Sequence, residues 1–336
     1  MNDYDYFHAI FLIIFVFINV FKYIQTKSIR FDMDKNDVTV LIPTLNEEET
    51  IGDVVKRFRN QGFTNILVID GNSRDKTREI AEKEGAKVVV QQGKGKGLAV
   101  IQAIQMIDTP YILMIDGDAT YQPEEAEKLL SKLEEGYDQV IGNRLLESNK
   151  KAFTKMNFFG NKLLNRFFRL IYHIDFSDIF SGYRAFKTKS IKELTLKEKG
   201  FAIEPEITVE ALKNIQKIAV VDITYLPRKG KTKLNPIIGG IRDAYVIFEL
   251  ARLQNPFFFF SFFGLIFFVI GTLLILYIIY HWFIGIPHSL LVTLAMLINI
   301  IGINFFLTGL LGSIIVNSKI DILRRIKKIA EKEGSI

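Results

Sequence analysis

The chain has 336 residues, 49% of them hydrophobic, enough for one sizeable globular domain and some membrane-embedded helices. It contains no cysteine, which excludes disulfides, cysteine-ligated zinc and thiol catalysis, and four scattered histidines (His8, His173, His281, His288) make a poor metal set. A formal net charge of +6 asks for an anionic partner, and lipid headgroups or phosphorylated substrates suit the apolar segments better than nucleic acid does.

In chain order, the first element is an apolar stretch from Phe7 to Ile24, just long enough to cross a bilayer. No basic residue precedes it and no small-residue cleavage site follows, so an uncleaved anchor is expected. From Val38 to Arg144, short apolar runs alternate with helical patterns. VTVLI (38–42), ILVID (66–70), VVVQ (88–91), YILMID (111–116) and QVIG (139–142) read as strands. Residues 47–60, 75–84, 98–107 and 123–135 read as helices, with Asn46 and Glu49 spaced as a capping box and Pro123 suited to a first turn. Strands alternating with helices predict an α/β fold with a mostly parallel sheet.

Ligands of such sheets sit beyond the carboxyl ends of the strands, and the unusual polar residues fall there. Asn46 and Glu47 follow the first strand, Asp70 closes the second, GKGKG (93–97) follows the third, and Asp116 and Asp118 close the fourth. Asp116-Gly117-Asp118 reads either as a common turn or as hard oxygen ligands for a divalent cation that holds a diphosphate. DGNSRDKT (70–77) reads as a turn before a helix capped by Asp75, or as a site where Asp70 accepts from a nucleobase N–H. GKGKG fits neither the Walker A loop nor the dinucleotide fingerprint, yet Lys94 or Lys96 before a helix could meet phosphate.

Residues 153–173 interleave phenylalanines and leucines with Lys155, Lys162, Arg166 and Arg169, the pattern of a helix at a lipid interface or of one packed on the sheet. A second such stretch, 237–253, carries Arg242 and Arg252. Glu204 and Glu206 read as sugar-orienting groups or as surface charges. Pro256 to Tyr280 and Ser289 to Val316 are expected to form a transmembrane hairpin around the uncharged loop HWFIGIPH, giving three spans in all. Lysines and arginines follow the first and third spans, so the positive-inside rule places residues 25–255 and the tail in the cytoplasm.

The succession PTLNEEETIG, DGNSRDKT, GKGKGLA, DGDATY, GNR (142–144), DIFSGYRAF (178–186) and YLPRKGKTKLN (225–235) resembles the family 2 glycosyltransferases. Within them it is similar to polyprenyl-phosphate (dolichyl-phosphate) sugar transferases. FAIEPEIT (201–208) is similar to archaeal enzymes that start lipid-linked N-glycans. The resemblance implies a GT-A, Rossmann-like domain over residues 31–235, an anchor over 1–30, an interface helix over 236–255, the hairpin over 256–316 and a basic tail over 317–336. It implies that Pro43, Asn46 and Glu47 border the nucleoside, with Asp70 near the base and Lys96 and Arg184 also on the donor. Asp116 would serve the nucleotide and Asp118 would coordinate Mg²⁺ or Mn²⁺. Arg144, Lys155, Arg228 and Lys233 would meet the acceptor phosphate, and Ser181 to Arg184 would line the sugar pocket. Mannose-transferring relatives often have glutamine where Thr120 stands, which leaves a third protein ligand open and disfavours a mannosyl donor.

The implied reaction is transfer of a hexose or N-acetylhexosamine from a nucleotide sugar, UDP-linked by preference, to polyprenyl phosphate with inversion. UDP-glucose, UDP-N-acetylglucosamine and GDP-mannose all stay open as donors. A processive synthase of the same superfamily would carry Gln-x-x-Arg-Trp, and the sole tryptophan here is Trp282, inside the hairpin. A non-catalytic nucleotide-binding membrane protein is the rival from another class.

Overall fold

A computed structural model describes residues 33–172, 174–228, 244–249, 251–252 and 255–332. The expected anchor, Lys233 and residues 237–243 lie outside these described residues. Seven strands form one sheet in the order β3-β2-β1-β4-β6-β5-β7. They are β1 (Val38–Thr44), β2 (Asn65–Asp70), β3 (Lys87–Val90), β4 (Tyr111–Met114), β5 (Gln139–Asn143), β6 (Arg184–Lys187) and β7 (Ile218–Asp222). The first four run parallel, as alternation of strand and helix predicts. β6, which the apolar-run reading does not find, inserts antiparallel between β4 and β5. The sheet is therefore mixed.

Helices are α1 (Ile51–Asn60), α2 (Thr77–Lys83), α3 (Lys96–Gln105), α4 (Ala126–Glu134), α5 (Lys155–Tyr172), α6 (Thr188–Lys192) and α7 (Ile203–Lys213). α3 and α7 close one face of the sheet, packing Ala99, Val100, Ala103, Ile203 and Ile207 on Leu41, Leu67, Ile112 and Met114. Side chains alternate along a strand, so Val40 and Ile42 face the other way and are equally buried. The core thus fixes which strand ends meet at the site.

Pro43 sits inside β1 without breaking it. Leu41 O accepts from Ile115 and Thr44 O from Gly71, so odd positions face β4 and even ones β2. The N–H that proline lacks would point past the end of β4, where no ladder bond is lost.

The proposed capping box at Asn46 does not start α1. Thr50 precedes the helix, and Asn46, held at φ 50°, accepts from the Arg74 N–H instead (2.8 Å). Tertiary docking overrides the local signal here. Residues 123–125 form a 3-10 turn before α4.

α8 (Pro256–Phe283) and α9 (Ser289–Lys332) are long and apolar enough to cross a membrane. They pack where small residues let backbones approach: a Cβ on Gly264 would fall 2.8 Å from Gly302 O. Outward faces remain apolar, with Leu273, Leu290, Leu311 and Ile315 exposed. The described residues contain two such helices, and α9 runs on unbroken into the expected basic tail.

α5 carries the predicted amphipathic pattern. Phe158, Phe168 and Ile171 are buried, while Met156, Phe159, Leu163 and Leu170 are exposed among basic residues. Ile247 and Ala251 join Phe168, Ile171 and Val209 in a second cluster.

Candidate active site

Strands β1, β2 and β4 end on one edge, and the loops that leave them are sewn together. Asp70, fully buried at the end of β2, accepts from the Ser73 N–H (2.9 Å) and hydroxyl (2.5 Å). Ser73 Oγ in turn accepts from Asn46 N (2.8 Å), and Thr77 Oγ1 accepts from Glu47 N (2.8 Å). A carboxylate that braces its own turn thereby fixes the loop that carries Asn46 and Glu47. Arg78 Nε lies 3.7 Å from Asp70.

After β4 the chain passes Asp116, Gly117 and Asp118 and then turns sharply, with Ala119 at φ 56°. A positive φ is uncommon for a residue with a Cβ, and here it brings Thr120 back over Asp118. Asp118 Oδ1 accepts from the Thr120 hydroxyl (2.5 Å) and N–H (3.2 Å). Thr120 is thus a clamp on Asp118. Thr50 donates to Gly117 O (2.8 Å) and ties the same turn to α1.

Two cations flank the aspartates. Lys96 Nζ stands 2.6 Å from Asp116 Oδ1 and 2.6 Å from Glu204 Oε1. Burial alone would depress its pKa, but the two carboxylates outweigh it and hold the ammonium well above the usual lysine range. On the other side Arg228 Nη2 reaches Glu47 Oε1 at 2.6 Å, and Nη1 reaches Asp118 Oδ2 at 3.3 Å. Two positive side chains among four carboxylates leave two negative charges. Asp116 keeps Oδ2 beside Gly182, where a Cβ would intrude to 2.5 Å. That hard oxygen set and its charge fit a divalent cation, which Asp116 and Asp118 would hold. Among the described residues no cluster of three acidic or histidine side chains stands ready as a metal cage.

Other predicted residues are placed differently. Arg184 is fully buried and does not face the cleft. Its guanidinium donates to Ser181 O (2.9 Å), Ile179 O (2.5 Å) and Thr208 Oγ1 (2.9 Å), and burial lowers its pKa to about 10. It shapes the 179–184 loop from behind. Arg144 forks onto Asp178 through Nε (2.7 Å) and Nη2 (3.0 Å), beside the stacked rings of Phe153 and Tyr225, which leaves Nη1. Lys155 is exposed at the start of α5.

Glu204 and Glu206 are buried, so neither is a surface charge. Glu206 accepts from the N–H groups of Lys197 (3.0 Å) and Glu198 (2.8 Å). Residue-by-residue reading gives no role to Tyr121, whose hydroxyl accepts from Gly182 N (2.8 Å), or to Asp178. Glu210 is buried on the same short helix as Glu204 and Glu206 and pairs with Lys213, as a buried charge is expected to do.

A family model described as Glycosyl transferase family 2 matches residues 39–195. The chain is 42% identical over 296 residues to "Glycosyltransferase AglJ" of Haloferax volcanii, across 87% of this chain and 98% of that one. "Dolichyl-phosphate hexose transferase" of the same organism is 32% identical over 207 residues, 61% of this chain and 90% of its own. Among solved structures, glucosyl-3-phosphoglycerate synthase from Mycobacterium tuberculosis, in complex with Mn²⁺, UDP-glucose and phosphoglyceric acid, is similar in fold. Its TM-score is 0.54 at 20% identity, over 64% of this chain and 79% of that one.

Proposed function

The chain belongs to glycosyl transferase family 2, and from that premise we propose that it moves a hexose or N-acetylhexosamine from a nucleotide sugar to polyprenyl or dolichyl phosphate, with inversion. The observation that carries this reading is the pair Asp116 and Asp118 set between Lys96 and Arg228, an arrangement suited to a diphosphate on one side and a second phosphate on the other. The relative named for dolichyl phosphate supports a lipid acceptor. So do α8 and α9, which would keep the cleft near a bilayer.

In this reading Pro43, Asn46, Glu47 and Asp70 border the nucleoside, and Asp118 and Asp116 would hold Mg²⁺ or Mn²⁺. The cation, when bound, supplies neutralisation of the charge that grows on the leaving nucleoside diphosphate. Lys96 steadies the donor side. Arg228, with Lys233, Lys155 and the spare Nη1 of Arg144, orients the attacking phosphate in line with the anomeric carbon. The phosphate is already ionised near neutral pH, so the chain need not supply a strong general base. A UDP sugar is the favoured donor. The lysines and arginines that follow the first and third expected spans favour a cytoplasmic side for residues 31–235 and the tail.

Membranes that contain the protein, incubated with labelled UDP-glucose, UDP-N-acetylglucosamine or GDP-mannose and polyprenyl phosphate, test this directly. Label should pass into the organic phase with one donor and stop doing so with chelator. Efficient labelling of soluble acceptors without lipid would sink the lipid acceptor.

A further inference from the structure

We propose that Glu204 is a positioning residue which, through Lys96, sets the place and charge of Asp116 in the donor site. This rests on the donor reading of the cleft given above. The geometry begins in the glycines. A Cβ on Gly95 or on Gly97 would fall far inside contact distance of the Lys199 and Glu198 carbonyls, so the loop around Lys96 lies directly on residues 198–200. Gly97 N donates to Gly200 O (2.9 Å) and Leu98 N to Lys199 O (3.2 Å). GKGKG is therefore a docking joint, and its glycines serve close approach of two backbones.

The surface it docks on is held from α7. Glu206 takes the N–H groups of Lys197 and Glu198, which pins that stretch of chain. Two residues earlier Glu204, with a 4% exposed side chain, takes the lysine itself at 2.6 Å. One acid fixes the bed of the loop and the other fixes the tip of its side chain. Both sit in the first turn of α7, where the helix dipole favours a carboxylate.

The charge consequence is specific. With Glu204 present, Lys96 is shared between two acids, and Asp116 keeps part of its negative charge for the donor's cation. With Glu204 neutral, the ammonium belongs to Asp116 alone and the site loses one of its two surplus negative charges. Glu204 would then act on donor binding without touching the donor.

The test uses the full-length protein in detergent and reads equilibrium binding, with Mn²⁺ followed by electron paramagnetic resonance and UDP or GDP by calorimetry. Glu204→Gln should weaken Mn²⁺-dependent nucleotide binding about tenfold, as expected for coupled neighbours. It should raise donor KM much more than it changes kcat. In a Lys96→Met background the same substitution should change binding little, because its path runs through the lysine. Equal effects in both backgrounds, or no effect in either, would overturn the proposal. Should Glu204→Gln fail to fold, Glu204→Asp keeps the charge but withdraws it, and must show a smaller loss with the same dependence on Lys96. A wild type that binds neither UDP nor GDP with Mn²⁺ sinks the donor reading and this inference together. Unaltered binding in the variant sinks only the inference.

Discussion

The two cations beside Asp116 and Asp118 are held in opposite ways. Lys96 is locked: both contacts are 2.6 Å, its side chain is 15% exposed, and its loop is seated on a neighbouring backbone. Arg228 leans. Its contact to Asp118 is 3.3 Å, its side chain is 28% exposed, and its Nε has no hydrogen-bond partner among the described residues. One side of the cleft is a fixed wall and the other is a group that a ligand at Asp118 competes with directly. A transferase with a donor to hold and an acceptor to admit gains from that asymmetry.

The severest way to break the contrast is to remove the residue that faces Arg228. Asp118→Asn keeps an oxygen for Thr120 but loses the charge, and sugar transfer should fall roughly a hundred- to a thousandfold, as when a transition-state electrostatic contact is deleted. Initial rates at saturating donor would show it.

Stability sharpens the contrast next. Lys96→Met strands Glu204 as a buried carboxylate without its cation, and should cost about 3 kcal/mol in denaturant unfolding. Arg228→Met removes a partly exposed pair and should cost under about 1 kcal/mol. Equal losses would mean that the wall and the leaning group are built alike.

The mildest probe is pH. The folded pKa of Lys96 lies above its unfolded value, so its stabilising contribution is complete below the unfolded value and is lost as pH rises through the folded one. The stability gap between wild type and Lys96→Met should stay constant from about pH 6 to 9 and shrink only above about 10, near the ordinary lysine pKa. A gap that closes near neutrality would show that the ammonium is not held as the geometry says.

Much of this was legible in the sequence because it is local. Apolar runs gave β1 to β5, and their carboxyl ends gave Asn46, Glu47, Asp70, Asp116 and Asp118 on one edge. β6 was hidden because its four residues, RAFK, hold only two apolar side chains between two charges, where KVVV of β3 has a run of three. The partners of two arginines were hidden for a related reason. Arg184 is held by loop carbonyls and Thr208, and Arg144 by Asp178, groups that no local pattern links to them. Thr208 and Asp178 stand 24 and 34 residues away along the chain. The partner of Glu204 was hidden in the same way: no spacing rule links it to Lys96. Local pattern finds the edge of a site, and only the fold shows which charges there already have partners.

α5 joins the two halves of the molecule at its ends. Near its start Phe153 stacks on Tyr225 beside Arg144, and at its finish Asn255 donates to Ile171 O while also capping α8 through Phe258 N. Eighteen residues of helix make a strut about 27 Å long. With α8 in a bilayer, that strut caps how far the rim at Phe153 can rise from the membrane surface. Were the acceptor the lipid phosphate proposed above, it would be met by lateral diffusion, and its density per unit area, not its bulk concentration, would govern how often the enzyme finds one.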